Sequence, residues 1–163
     1  MKRFLALVIA LLLMFAVVGC GTEIDDDNVV LLKNYFITYN GVDVNVGVDA
    51  KDIIHKLGDY TSEDGEACGT NEKDVIYTLS GIEIETHVGG SSEIVRQIKI
   101  VNDSQSTAKG ITIGSTRDEV ISAYGNDYTE GSSGALRYEG DTSAIEFHFG
   151  VSGNVSNIYI KRK

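Results

Sequence analysis

From residue 32 onward the chain is dominated by short alternations of apolar and polar residues, broken by glycine. Tyr35, Ile37 and Tyr39 alternate with Phe36 and Thr38, and Val42, Val44 and Val46 alternate with Asp43 and Asn45. Asn40-Gly41 lies between the runs. That pair adopts the positive φ angles of a tight turn, so 32–48 predicts a β-hairpin. Three more strands are predicted over 75–79, 82–88 and 94–101, with turns at Ser80-Gly81 and at Gly89-Gly90-Ser91-Ser92. In the central one, Ile82, Ile84 and Thr86 share one face while Glu83, Glu85 and His87 share the other. One face is then core and the other meets water, as in an antiparallel sheet covered on one side.

Two segments change period. Asp49 reads as an N-cap, Asp52 adds charge in the first turn, and Ile53, Ile54 and Leu57 make an apolar face that stops at Gly58. Further on, Thr116 and Glu119 form a capping box, with Val120, Ile121 and Tyr124 behind it and Gly125 as the stop. Each predicts a helix of about two turns, too short to stand without packing on a sheet. The two segments correspond at an offset of 67 residues: Gly47 with Gly114, Asp49 with Thr116, Ile53 with Val120, Leu57 with Tyr124 and Gly58 with Gly125. The last strands correspond at an offset of 60, pairing Val95, Ile98 and Ile100 with Val155, Ile158 and Ile160. The pattern predicts an α+β fold of two tandem helix-plus-antiparallel-sheet repeats, with short helices on one face of a continuous sheet. Residues 29–109 would hold the first repeat with its hairpin, and 110–163 the second.

The first residues stand apart from this pattern. Lys2 and Arg3 precede an apolar run over 4–18 that ends in Val17-Val18-Gly19-Cys20. The run is short for a membrane span and reads as a secretory signal over 1–19. Small or aliphatic residues directly before a cysteine resemble a bacterial lipobox. The resemblance implies acylation of Cys20, cleavage before it, and a protein held by lipid on the extracytoplasmic face of a membrane. Residues 20–28, with Asp25, Asp26 and Asp27 in a row, then read as an acidic tether. With Cys20 lipidated, Cys68 is left without an internal disulfide partner and reads as a buried small hydrophobe or an exposed thiol.

The net charge is −10. This excludes nucleic acid as a partner, since phosphate binding needs clustered cations. Lys161, Arg162 and Lys163 read as a solvated tail. No nucleophile elbow, phosphate loop or zinc-protease motif is present, so the chain reads as a non-enzyme with no cofactor. Two weaker constellations remain. Glu83, Glu85 and His87 share a strand face, as do Glu146 and His148 in the second repeat. If those strands were neighbours, the five side chains could converge on a metal such as zinc. Tyr128 and Tyr138 flank the loop Gly131-Ser132-Ser133-Gly134 and are candidates for a partner-binding edge, because tyrosine offers area and a hydrogen bond at low entropic cost.

The run Gly114-Ser115-Thr116-Arg117-Asp118-Glu119-Val120, then Gly125, then Val155-Ser156-Asn157-Ile158, resembles the small lipoprotein domain of SmpA/OmlA type, found in outer-membrane assembly. Two tandem copies resemble the repeats of β-lactamase-inhibitory protein and of two-repeat lipoproteins of Gram-positive clostridia. The proline that often follows the helix glycine in such domains is Asn126 here. The matching motifs are structural, so the resemblance implies a fold and no partner-contacting residue. Function is expected to be that of a lipid-anchored, non-catalytic binding or interaction module at the cell envelope. Its partner would be a protein or an envelope component. The alternative is a metal- or small-ligand-binding surface lipoprotein.

Overall fold

The computed structural model describes residues 33–65 and 72–163. Cys20, the acidic tether and Cys68 lie outside the described residues. Strands β1 (Phe36–Tyr39) and β2 (Val42–Asn45) form the predicted hairpin. Its turn sits on Asn40 (φ 49°) and Gly41 (φ 79°), the two positive angles that an Asn-Gly pair adopts at low cost. Then follow a single helical turn, α1 (Lys51–Ile54), and strands β3 (Thr61–Asp64), β4 (Glu72–Leu79), β5 (Ile82–Gly89) and β6 (Ser92–Ile100). A long loop leads to helix α2 (Arg117–Tyr124). Strand β7 (Thr129–Glu130), a 3-10 turn at Ser132–Gly134, and strands β8 (Leu136–Glu139), β9 (Ser143–Phe149) and β10 (Val155–Arg162) complete the chain.

Strands β3 to β10 make one antiparallel sheet in the order β3-β4-β5-β6-β10-β9-β8-β7. The expected class, α+β with helix-plus-sheet repeats, is therefore wrong. Among the described residues, strand accounts for 49% and helix for 12%, with two helices set against one sheet of eight strands. The physical reason lies in the helix segments. Asp49 does not cap α1: the N-cap is Ala50, and Asp49 makes an isolated bridge with Ile94 while its carboxylate accepts from the Lys51 N–H at 3.0 Å. That side-chain bond favours a local turn over helix propagation. The helix is left at four residues, and Leu57, counted on its apolar face, is buried beyond its end. Helix α2 does carry the capping box: the Thr116 hydroxyl accepts from the Glu119 N–H at 3.2 Å, and the Glu119 carboxylate accepts from the Thr116 N–H at 2.7 Å.

The sheet is joined at its centre by β6 and β10, with Ile98 opposite Ile160 and Ile100 opposite Ile158. Residues that correspond at the 60-residue offset thus face one another crosswise, as across a local two-fold axis. These isoleucines, with Ile82, Ile84, Ile145 and Phe147, form the inward face. Ile37, Val44, Ile54 and Val120, from the hairpin and the two helices, belong to the same cluster. Two edge strands, β3 and β7, carry no buried side chain, which is why alternation could not reveal them. Among the described residues no helix is long and apolar enough to cross a membrane.

Candidate binding cleft

The outward face of the sheet is ribbed with charge. One row across it runs Glu83, Lys99, Tyr159, Glu146 and Arg137, each opposite the next on the neighbouring strand. Lys99 Nζ donates to Glu83 at 2.8 Å, and Lys161 Nζ donates to Glu146 at 2.7 Å. Arg137 donates to both Glu139 and Glu146. Burial raises the proton affinity of Glu146, but donation from Lys161, Arg137 and His148 outweighs it and holds the carboxyl below the usual range. Glu139 is lowered too, chiefly by Arg137.

This row separates the five residues considered as metal ligands. Strands β5 and β9 are not neighbours, because β6 and β10 lie between them. Three strand spacings put Glu83 and Glu146 about 14 Å apart. His87 and His148 point to opposite ends of the face, which adds about 20 Å along the strands. His87 instead lies 2.8 Å from Asp74, His148 lies 3.3 Å from Glu146, and Gln97 donates to Glu85 at 3.2 Å. Among the described residues no group of three or more His, Cys, Asp or Glu is arranged to hold a metal ion.

Tyr138 is not at a recognition edge either. It is fully buried, its ring packs on Tyr124, Tyr128 and Phe147, and its hydroxyl donates to the Gly125 carbonyl at 3.0 Å. Burial pushes its phenol up to about 12. Tyr128 is half-buried and packs edge-on against Tyr138 at 5.8 Å. Strand parity explains the error: Tyr138 alternates inward with Leu136, a relation that the loop-flanking position conceals.

A concavity opens where the hairpin meets the end of the sheet. It is a cleft of about 550 Å³ whose polar walls include Asn34, Asn45, Asp141, Thr142 and Arg162. Its geometry starts from pairing. Arg162 closes β10 opposite Ser143, and the hairpin end is held to β6 by the Gly47 N–H donating to the Val95 carbonyl at 2.7 Å. The Ser143 hydroxyl accepts from the Tyr35 N–H at 2.8 Å, which fixes the segment before β1 against β9. Asn34 Oδ1 accepts from both the N–H and the hydroxyl of Thr142, at 3.0 and 2.8 Å. A smaller hollow of about 360 Å³, lined by His87, Ile94 and Arg96, shares Arg162 and Lys163 with it.

The cleft presents amide, hydroxyl, guanidinium and carboxylate groups. Its serine is occupied as a hydrogen-bond acceptor, and His87, which lines the neighbouring hollow, lies 2.8 Å from Asp74. Such a set suits recognition by hydrogen bonding. Sequence reading missed it because Lys161, Arg162 and Lys163 look like a terminal charge run. In the fold, Lys161 and Arg162 belong to a central strand. The available signal was the continuing alternation Ile158, Ile160, Arg162, which puts the arginine on the inward side just past the core. Compared with protein-family profiles, curated proteins and solved structures, the chain matches none.

Proposed function

We propose that this chain is a lipid-anchored, extracytoplasmic, non-catalytic binding module of the cell envelope, tethered through Cys20 and residues 20–28. The observation that carries the binding reading is the polar cleft at the hairpin–sheet junction, held open by strand pairing and lined with hydrogen-bonding groups. The lipobox-like run ahead of Cys20 supports the anchoring part. The cleft's volume falls in the range of small-molecule sites, which favours a small polar ligand as the form this binding takes.

Two measurements test the proposal. In a Gram-positive host, the full chain should sediment with membranes and incorporate an alkyne-bearing fatty acid, and Cys20→Ser should do neither. Equal labelling of the variant would refute the anchor. Immobilised protein should retain a component of envelope extract. No retained protein, glycan or small molecule across several salt and pH conditions would refute the binding role.

A further inference from the structure

We infer that the cleft recognises a carboxylate and that the guanidinium of Arg162 is its anchor, an inference that rests on the binding reading above and names its ligand chemistry. The first observation is an imbalance of partners. Four arginines lie among the described residues, and Arg96, Arg117 and Arg137 each make an ion pair with a carboxylate. The guanidinium of Arg162 makes no ion pair or hydrogen bond among the described residues, in a chain of net charge −10. A planar fork of donors is thus left for a ligand, and its geometry matches a carboxylate in bidentate fashion.

The second observation is where this fork sits: Arg162 is exposed and lines the cleft at the end of β10. Arg162 ends a strand paired on both sides, and its stem runs beside Gly47, where a Cβ would lie in ordinary van der Waals contact, 3.8 Å from its Cδ and Nε. Gly47 itself has a φ of +86°, a conformation that glycine adopts without strain. The third observation concerns Asn34. Two donors from Thr142 claim its oxygen, so the amide must turn its NH₂ group away from them. That group has no acceptor among the described residues. Asn45 adds a second amide and Asp141 a carboxylate whose partner is the Lys33 N–H. A carboxylate on a small molecule rich in hydroxyl or amide groups matches this set of donors and acceptors: the acid for Arg162, its neighbouring groups for the two asparagines and Asp141.

An amino-acid derivative and a sugar acid both carry this chemistry, and the test separates them. The full chain, labelled with ¹⁵N-arginine and held in detergent micelles, is titrated with N-acetylglycine or glucuronate. N-acetylglycinamide and glucose serve as their neutral counterparts. The Arg162 Nε resonance is assigned by its loss in Arg162→Gln. At least one acid should shift that resonance saturably, and its neutral counterpart should bind roughly 10-fold or more weakly, the loss for a hydrogen bond to a charged group. The better acid identifies the source. Arg162→Gln should weaken binding by a similar factor, followed on the protein's thermal shift. Arg162→Lys should recover only part of it, because a point charge lacks the fork. Both variants should melt within a few degrees of wild type, since the Arg162 guanidinium has no partner among the described residues to lose and its backbone pairing with Ser143 is kept. Equal binding of acid and neutral probe, unchanged binding by Arg162→Gln, or no shift with either acid at tens of millimolar would overturn the inference. Retention of an envelope component that survives in Arg162→Gln would leave the binding role standing while refuting the carboxylate site.

Discussion

Two phenols in one aromatic cluster should answer the same substitution in opposite ways. Tyr35 and Tyr138 both pack on Tyr124, at centroid distances of 6.1 and 5.2 Å. The Tyr138 hydroxyl donates to the carbonyl of Gly125, the residue that ends α2. The Tyr35 hydroxyl is buried and has no partner among the described residues. Tyr138→Phe removes a hydrogen bond and strands a carbonyl, a loss of about 1–2 kcal/mol. Tyr35→Phe removes a hydroxyl that was desolvated without compensation, so it should be neutral or stabilising by up to about 1 kcal/mol. Ring packing is the same in both variants, so the contrast isolates the hydroxyl. For a compact unit spanning Leu32–Lys163, 1 kcal/mol corresponds to about 4 °C in Tm. Thermal melts and urea titrations at pH 7 read the effect, and an unchanged m-value confirms a shift in stability alone. Tyr35→Phe destabilising as much as Tyr138→Phe would refute the reasoning. Alkaline pH gives a second readout. Burial raises the Tyr138 phenol to about 12, so the neutral form is favoured in the fold. Its contribution is present below the unfolded value near 10 and is lost as pH rises toward 12.

Two other perturbations follow from the same geometry. Glu146→Gln leaves Arg137 and Lys161 facing a neutral amide and should cost about 1 kcal/mol at pH 7, a figure reduced because both cations are about a third exposed. The folded carboxyl lies below its ordinary value, so this difference should persist from pH 7 to pH 5 and fade as pH drops through the folded value, checked by urea titration across that window; a gap that widens in acid would contradict it. Gly140→Ala would place a Cβ 2.3 Å from the Lys33 carbonyl oxygen and 2.8 Å from that of Ser143, both backbone atoms. It should cost about 1–3 kcal/mol and loosen the segment before β1, read as faster amide exchange at Tyr35; unchanged exchange there would argue that the contact is not tight.

Much of the sheet was legible because a strand with one buried face writes its burial into every second residue. Ile82, Ile84 and Thr86 are buried, while Glu83, Glu85 and His87 face outward, as the alternation required. The hairpin was legible for a separate reason, the backbone preference of Asn40-Gly41. The capping box of α2 was legible because it is a local bond between residues three apart. Local signals failed where a competing local bond won, as with Asp49 and α1, and where strands β3 and β7 bury nothing. They also overstated the helical share of the fold, since caps and stops mark the ends of a helix and say little about its extent.

The sequence by itself determined the strands with a buried face, the turns between most of them and the faces they present, because those depend on residues within a few positions of one another. Tertiary structure decided which strands are neighbours. That choice sets β6 and β10 between Glu83 and Glu146 and disperses the imagined metal ligands into ion pairs. It also turns Tyr138 into core and converts an apparent basic tail into the end of a central strand. The cleft exists only through that arrangement: Asn34, Gly47, Thr142 and Arg162 are distant in sequence and come together because β10 pairs with β9 while the hairpin end pairs with β6. Pairing order is a property of the whole sheet's packing energy, and no local spacing encodes it.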